Sequence, residues 1–270
     1  MGRLATWTVA GALAPLDDGD MFNPRPLSRL ALPVALALAL GAPTSAHTQD
    51  RPRILYDRAH GENPPVPGMT ALAQGLGIDL VEGTSPITSA ALAGVRVLYL
   101  RAPSTALAPE ERAAIVAFVR AGGSLLLVMD ENTRQDIAVV GANDLIEPFG
   151  VRLTGDTPYL HNTGALAKAG AIHKADREVP YSGGRAVEGG DAFAFQLDKD
   201  GKPAQPFAAS KALPNGARIV VMAEGMASLF LGVPEGQRLT GPPRDARNTV
   251  YWGKDSAIFM EEVLAWLIRR

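Results

Sequence analysis

Residues 95–131 read VRVLYLRAPSTALAPEERAAIVAFVRAGGSLLLVMDE. Two apolar runs, 95–100 and 124–129, each end in a polar loop, and a helical pattern separates them. Pro109 occupies the first turn of that helix, where a missing N–H is harmless, and Glu110 and Glu111 meet the positive end of its dipole. Ile115, Phe118 and Val119 form its apolar face, and Gly122-Gly123 stop it. A strand, a helix and a strand joined this tightly predict a parallel pair with a right-handed crossover. SLLLVM, the most apolar strand of the chain, suits the middle of a sheet covered on both faces.

The same alternation extends outward. Residues 53–56 predict a first strand, 69–76 a helix, 78–82 a second strand, and 88–92 a helical turn capped by Thr88. Asn143 is expected to cap a short helix running to Gly150. Residues 53–150 therefore alternate strand and helix four times, which predicts a doubly wound α/β fold. The expected class is a flavodoxin-like three-layer sandwich with a mostly parallel central sheet. Residues 151–216 are less regular and predict a β-rich insertion of short strands, with a hairpin tip at 198–202. Residues 217–223 (ARIVVMA) predict another buried strand. Asp255 is expected to cap a closing helix whose Phe259, Val263, Trp266 and Leu267 share one face. Leu98, Leu126, Val128, Ile219 and Val221 should then lie in adjacent central strands.

Residues 24–46 have a different character. PRPLSR is a short basic segment, LALPVALALAL is an apolar run too short to span a bilayer, and TSA ends in small residues. This reads as a secretory signal peptide cleaved after Ala46, with Met21 placed where an ordinary signal peptide would start. The expected organisation is a leader at 1–46, a linker at 47–52 and one α/β domain at 53–270, acting in the periplasm or outside the cell. Removing 46 of the 270 residues leaves 224, enough for a full core without disulfides. The chain has no cysteine, so it has no thiol nucleophile, no thiolate metal ligand and no lipid-attachment cysteine. The formal charge of −2 carries no nucleic-acid footprint.

The segments RILYDRAHGE, ITSAALAGVRVLYLRAPSTALAPEERAAIVAFVRAGGSLLLVMDE, NDLIEPFGVRL, GARIVVMAEGMASLF and KDSAIFMEEVLAWLI together resemble the class I glutamine amidotransferase-like superfamily. Within it the nearest resemblance is to a bacterial family of unknown function. That family is related to the substrate-binding-like domain of gliding-motility ABC transporters and to the N-terminal domain of an intraflagellar transport protein. Trehalose-utilisation (ThuA-like) proteins are a neighbouring branch. The resemblance spans 53–268, and its most specific segment is LAPEERAAIVAFVRAGGSLLLV. Related helices begin with Ser or Thr where this chain has Ala108, a lost cap worth about 1 kcal/mol.

In the catalytic branch a cysteine sits on a sharp turn after a central strand. The corresponding turn here carries Asp130 and Glu131, so the resemblance implies no thioester chemistry. Ser104 follows a strand, but RAPST is not the G-x-S-x-G elbow that exposes a serine nucleophile. Open α/β sheets bind ligands beyond the carboxyl ends of their strands. The expected strand ends carry Asp57, His60, Ser104, Asp130, Glu131, Asn132 and Glu224. These form either a polar ligand site or a set of solvated loops in which Asp57 and Asp130 bond local backbone amides, and Arg58, Arg101 and Arg134 in the same loops can offset the gathered acids without a ligand. Trp252, in the long 231–254 loop, is a candidate for stacking on a sugar ring. His60, His161 and His173 show no metal-binding spacing, and Asp57 and His60 lie three apart on a Gly/Pro loop, so neither metal nor cofactor is expected. The expected function is an exported, non-catalytic binding or assembly module, for a carbohydrate or a membrane-transporter complex. The rival is a carbohydrate-active enzyme using Asp130, Glu131 or His60.

Overall fold

The computed structural model describes residues 51–156, 164–181, 184–198, 200–225, 231, 239–240, 251–252 and 254–269. The expected signal peptide, its cleavage site and most of the 231–254 loop lie outside them.

The decisive stretch folds as its pattern predicts. β3 (Val97–Arg101), α2 (Pro109–Arg120) and β4 (Ser124–Val128) follow one another, and β3 and β4 pair in parallel. Every residue of β3 and β4 is buried. Gly123 leaves room for the Phe118 ring, since a Cβ there would stand 2.2 Å from it. Ahead of this unit come β1 (Arg53–Asp57), α1 (Pro67–Gly75) and β2 (Asp79–Gly83), with β1 parallel to both β2 and β3. The helical turn expected at 88–92 is present: the Leu92 amide donates to the Thr88 carbonyl at 3.1 Å, Thr88 Oγ1 accepts the Ala91 amide at 3.1 Å as a capping threonine does, and the turns run on to residue 94. β11 (Arg218–Met222) lies parallel to β4 on its other side. Leu98, Leu126, Val128, Ile219 and Val221 are all fully buried in three adjacent strands, as expected.

The parallel half has the order β2-β1-β3-β4-β11. The chain moves one way from β1 to β2 and the other way from β3 to β4, so right-handed crossovers put α1 and α2 on opposite faces. The switch point lies between β1 and β3.

The second half differs from the expected insertion. β9 (Asp191–Leu197), β10 (Pro203–Ala212), β6 (Ala165–Ala167) and β7 (Arg177–Val179) extend the same sheet beyond β11 as antiparallel strands, in the order β10-β9-β6-β7. The central sheet is therefore mixed and nine-stranded. β9 and β10 form a hairpin whose tip is held by Asp198, which accepts the Asp200 and Lys202 amides. β5 (Val151–Asp156) and β8 (Arg185–Gly189) form a separate antiparallel pair. β12 (Leu239–Thr240) and β13 (Tyr251–Trp252) form a second short pair.

Two expected caps are corrected. α3 (Ile137–Val140) is capped by Asp136, which accepts the amides of Ala138 and Val139. Asn143 lies inside α4 (Ala142–Ile146), and its amide bonds both ways with the backbone of Leu153 at 2.9 Å, clamping β5. A 3₁₀ turn, Glu147–Phe149, follows. Asp255 precedes α5 (Ser256–Ile268), but its carboxylate accepts the Glu178 amide of β7 at 2.8 Å rather than capping the helix. α5 buries Phe259, Val263, Trp266 and Leu267 against the sheet. A second clasp joins α5 to the region of β7. Glu262 accepts two hydrogen bonds from Arg177 at 2.8 and 3.0 Å and faces His173 Nδ1 at 2.9 Å, while the His173 ring stacks on Phe259.

Candidate functional site

β1 ends at Asp57, and the loop after it turns at Gly61 with φ +82. This glycine is required twice over: the backbone is left-handed, and a Cβ would stand 2.2 Å from Ser104 Oγ. The His60 carbonyl accepts the amides of Ser104 and Thr105, at 2.8 and 3.2 Å. The loops after β1 and β3 therefore meet at the switch point, where open α/β sheets form their ligand crevice. Ala102, left-handed at φ 53, starts the second of these loops.

Below that seam lies a buried polar chain. Asp57 Oδ2 is 2.6 Å from His60 Nδ1, and His60 Nε2 is 3.1 Å from Glu111 Oε2. Glu111 is fixed from the other side by the amides of Ile87 (2.7 Å) and Ala108 (2.9 Å). The second of these is half of a capping box, so α2 begins stably even though Ala108 has no capping oxygen. Glu62 Oε2 accepts the His60 amide at 2.9 Å, while its Oε1 is buried with no hydrogen-bond partner. Asp57, His60 and Glu62 are 1 %, 5 % and 5 % exposed.

The electrostatics follow from this packing. The Asp57 carboxylate raises His60 to about 9, outweighing burial, and Glu111 adds to the effect. Burial would raise Asp57, but hydrogen bonds from His60 and Glu62 hold it below the usual carboxylate range. Burial, then the Asp57 carboxylate, pushes Glu62 up to about 8. Two carboxylates in contact cannot both carry full charge without a proton or cation between them.

A second polar group follows β4. Asp130 is raised to about 7 by burial and by neighbouring Glu131. Arg134 bridges the two, at 3.2 Å from Asp130 and 2.8 Å from Glu131. Buried Arg185 of β8 donates to the carbonyls of Asp130 (2.6 Å) and Gln135, and burial lowers its pKa. The Asn132 amide donates to Asp156 at 2.8 Å. Glu224, fully buried, follows β11 and feels the charge of Arg134.

The expected residues thus fall into two groups along one edge, at neighbouring pairs of strands. Asp57, His60 and Ser104 come together at β1 and β3; Asp130, Glu131, Asn132 and Glu224 gather at β4 and β11. The backbone of Trp252 pairs with Leu239, but its side chain lies outside the described residues. Sequence reasoning missed Glu62, Glu111, Gln135 and Arg185. Glu111 was legible, because it continues the Ile115–Val119 core stripe at a spacing of four. Nothing local to Arg185 marks it for burial.

No protein-family model matches the chain, and no curated protein matches its sequence. Among solved structures, the chain is similar to the mmIFT52 N-terminal domain, with a TM-score of 0.57 and 17% identity over 80% of this chain and 98% of that one. It also matches a proposed GMP synthase subunit from Thermoplasma acidophilum, with a TM-score of 0.48 and 11% identity over 80% of this chain and 94% of that one, a likeness too distant to carry an argument. The first likeness establishes a shared α/β fold.

Proposed function

We propose that this chain is an exported binding module that takes a polar, hydroxyl-rich ligand such as a carbohydrate at the carboxyl edge of its parallel strands, and that it performs no acyl transfer. The observation that carries this reading is the position of the His60 ring. Both of its nitrogens face carboxylates, Asp57 on one side and Glu111 on the other. The ring therefore offers no nitrogen to Ser104, which meets the histidine loop through its backbone amide and through the packing of its hydroxyl against Gly61, and a nucleophile-base pair needs that nitrogen. The chain has no cysteine to replace it. The glutamine amidotransferase-like ancestry read from the sequence is retained as a proposal, with the catalytic turn occupied by Asp130 and Glu131. Export rests on the signal-peptide pattern of residues 24–46, and assembly within a membrane complex is compatible with the same site. Calorimetric titration of linear glucans and N-acetylglucosamine oligomers, repeated on Asp130→Asn and Glu131→Gln, tests this reading. Saturable binding that weakens in the variants supports it, and unchanged binding in both removes that edge from the site.

One observation favours a second reading. Burial and neighbouring Glu131 raise Asp130 to about 7, and a carboxyl raised in this way beside a second carboxyl serves as the acid in glycoside cleavage. Glycoside turnover abolished by Asp130→Asn would establish it.

A further inference from the structure

We propose that Asp57, His60 and Glu62 form a binding site for one divalent cation of borderline softness, zinc or a similar ion, with Glu111 as the outer carboxylate that orients the His60 ring. This deepens the binding reading of the same edge, and it can fail while saccharide binding stands.

Three independent features of the seam converge. First, the donor set is right. One imidazole nitrogen and two carboxylate oxygens lie within 4.8 Å of one another, all on buried residues. An imidazole beside carboxylates suits zinc and its neighbours better than magnesium or calcium, which prefer all-oxygen sites. Second, the outer shell is already built. His60 Nε2 faces Glu111, so once a cation displaces the proton from Nδ1 the ring keeps its remaining proton on Nε2, the carboxylate-histidine arrangement that fixes the tautomer in zinc sites. Glu111 cannot drift, because the amides of Ile87 and Ala108 hold its two oxygens. Third, Glu62 Oε1 is buried and receives no hydrogen bond from any N–H or hydroxyl donor, although Oε2 is satisfied, so only a proton shared with Asp57 or a bound cation can occupy its position. A buried acceptor left unpaired destabilises the fold unless something occupies its position.

The change needed on binding is small. Asp57 Oδ2 and His60 Nδ1 are 2.6 Å apart, a proton-sharing distance. Two ligands on a tetrahedral zinc stand about 3.3 Å apart, given bonds near 2.0–2.1 Å. The cation replaces the proton between them, the Asp57 carboxylate backs away by a fraction of an ångström, and Glu62, whose ligand oxygen lies within 4.8 Å of the others, closes onto the ion by a side-chain adjustment. The rim residues Gly61, Asn63, Ser104 and Thr105 are exposed and leave a route in. Solvent completes the coordination, so the ion keeps an open position facing the crevice.

The experiment uses the full chain after chelator treatment. Zinc chloride is titrated by calorimetry, and cobalt chloride by its visible absorption. The expected result is one equivalent of zinc bound, with a cobalt spectrum of the intensity that low-symmetry nitrogen-oxygen sites give. Glu111→Gln should weaken zinc by about 10–100-fold and alter the cobalt spectrum, a change that a merely structural role for Glu111 would not produce. Glu62→Gln should weaken zinc at least as much while leaving the metal-free protein folded. In the unsubstituted chain, zinc should shift the ring ¹⁵N resonances of His60 and leave those of His173 in place, which decides the matter even if a variant fails to fold. Absence of zinc binding, an equal affinity in Glu62→Gln, or a shift at another histidine instead of His60 each overturns the proposal.

Discussion

His60 Nε2 stands 3.1 Å from Glu111 Oε2, so one imidazole ring ties the loop after β1 to the first turn of α2 across 51 residues of sequence. That link joins the strand on one side of the switch point to the helix that leaves the other side. It makes Glu111 a junction for three elements, because the carboxylate also holds the amides of Ile87 and Ala108.

Glu111→Ala should therefore destabilise the chain by about 1–3 kcal/mol, the range for leaving a buried donor unsatisfied. Urea denaturation checks this. The midpoint should fall with the slope unchanged, since the compactness of the native state does not depend on the link.

Gly61→Ala should destabilise as well. The left-handed backbone alone penalises a side chain by about 1 kcal/mol, and the new Cβ would press on Ser104 Oγ. The Ser104→Ala background should recover part of that loss and leave the backbone part. Thermal melts of the two single variants and the double variant separate these contributions.

Leu126→Ala should lower stability by about 2–5 kcal/mol, because Leu126 is fully buried in a strand flanked by β3 and β11. A loss below about 0.5 kcal/mol, the surface norm, would contradict the central position of β4.

The α5 clasp contributes to the acid limb of stability, beside Asp57 and Glu111, which are also lowered. Burial opposes ionisation of Glu262, but Arg177, His173 and the Lys174 amide hold it at about 2, below its ordinary 4.5. A carboxylate with a depressed folded pKa contributes fully above the unfolded value, and the contribution is lost as pH falls from about 4.5 toward 2. Neighbouring His173 is lowered by burial, so its own contribution is lost as pH falls below 6.5. Stability measured against pH should show both windows, and Glu262→Gln should flatten the lower one.

Asp130 gives the opposite sign. Its folded pKa of about 7 exceeds the ordinary 3.8, so the folded chain holds the proton that the unfolded chain has released. Stability from this group falls as pH rises between those values and is flat above them. Asp130→Asn should remove that slope, which equilibrium unfolding between pH 4 and 8 detects.

The parallel half of the fold was legible because its signals are local. The apolar run of β4, the proline and glycines bounding α2 and the polar residues at strand ends can each be read within a dozen positions. The antiparallel half was not. β6 and β7 are three residues each, and the pairing of β6 with β9 that docks them on the sheet joins segments far apart in the chain. Asn143 and Asp255 misled for a related reason. Both have cap chemistry beside a helix, but backbone groups of Leu153 and Glu178 compete for them, and those groups arrive only when the tertiary structure forms. Asp57 and His60 were found as strand-end residues, whereas Glu62 and Glu111 acquire their meaning from burial.

Binding and turnover measured together test the non-catalytic binding role most directly. The chain is titrated with linear glucans and N-acetylglucosamine oligomers, and the same mixtures, with amide and ester substrates added, are assayed for product. The expected result is saturable saccharide binding that weakens in Asp130→Asn and Glu131→Gln, with no product from any substrate. Product that forms with the unsubstituted chain and disappears with Asp130→Asn would contradict that role.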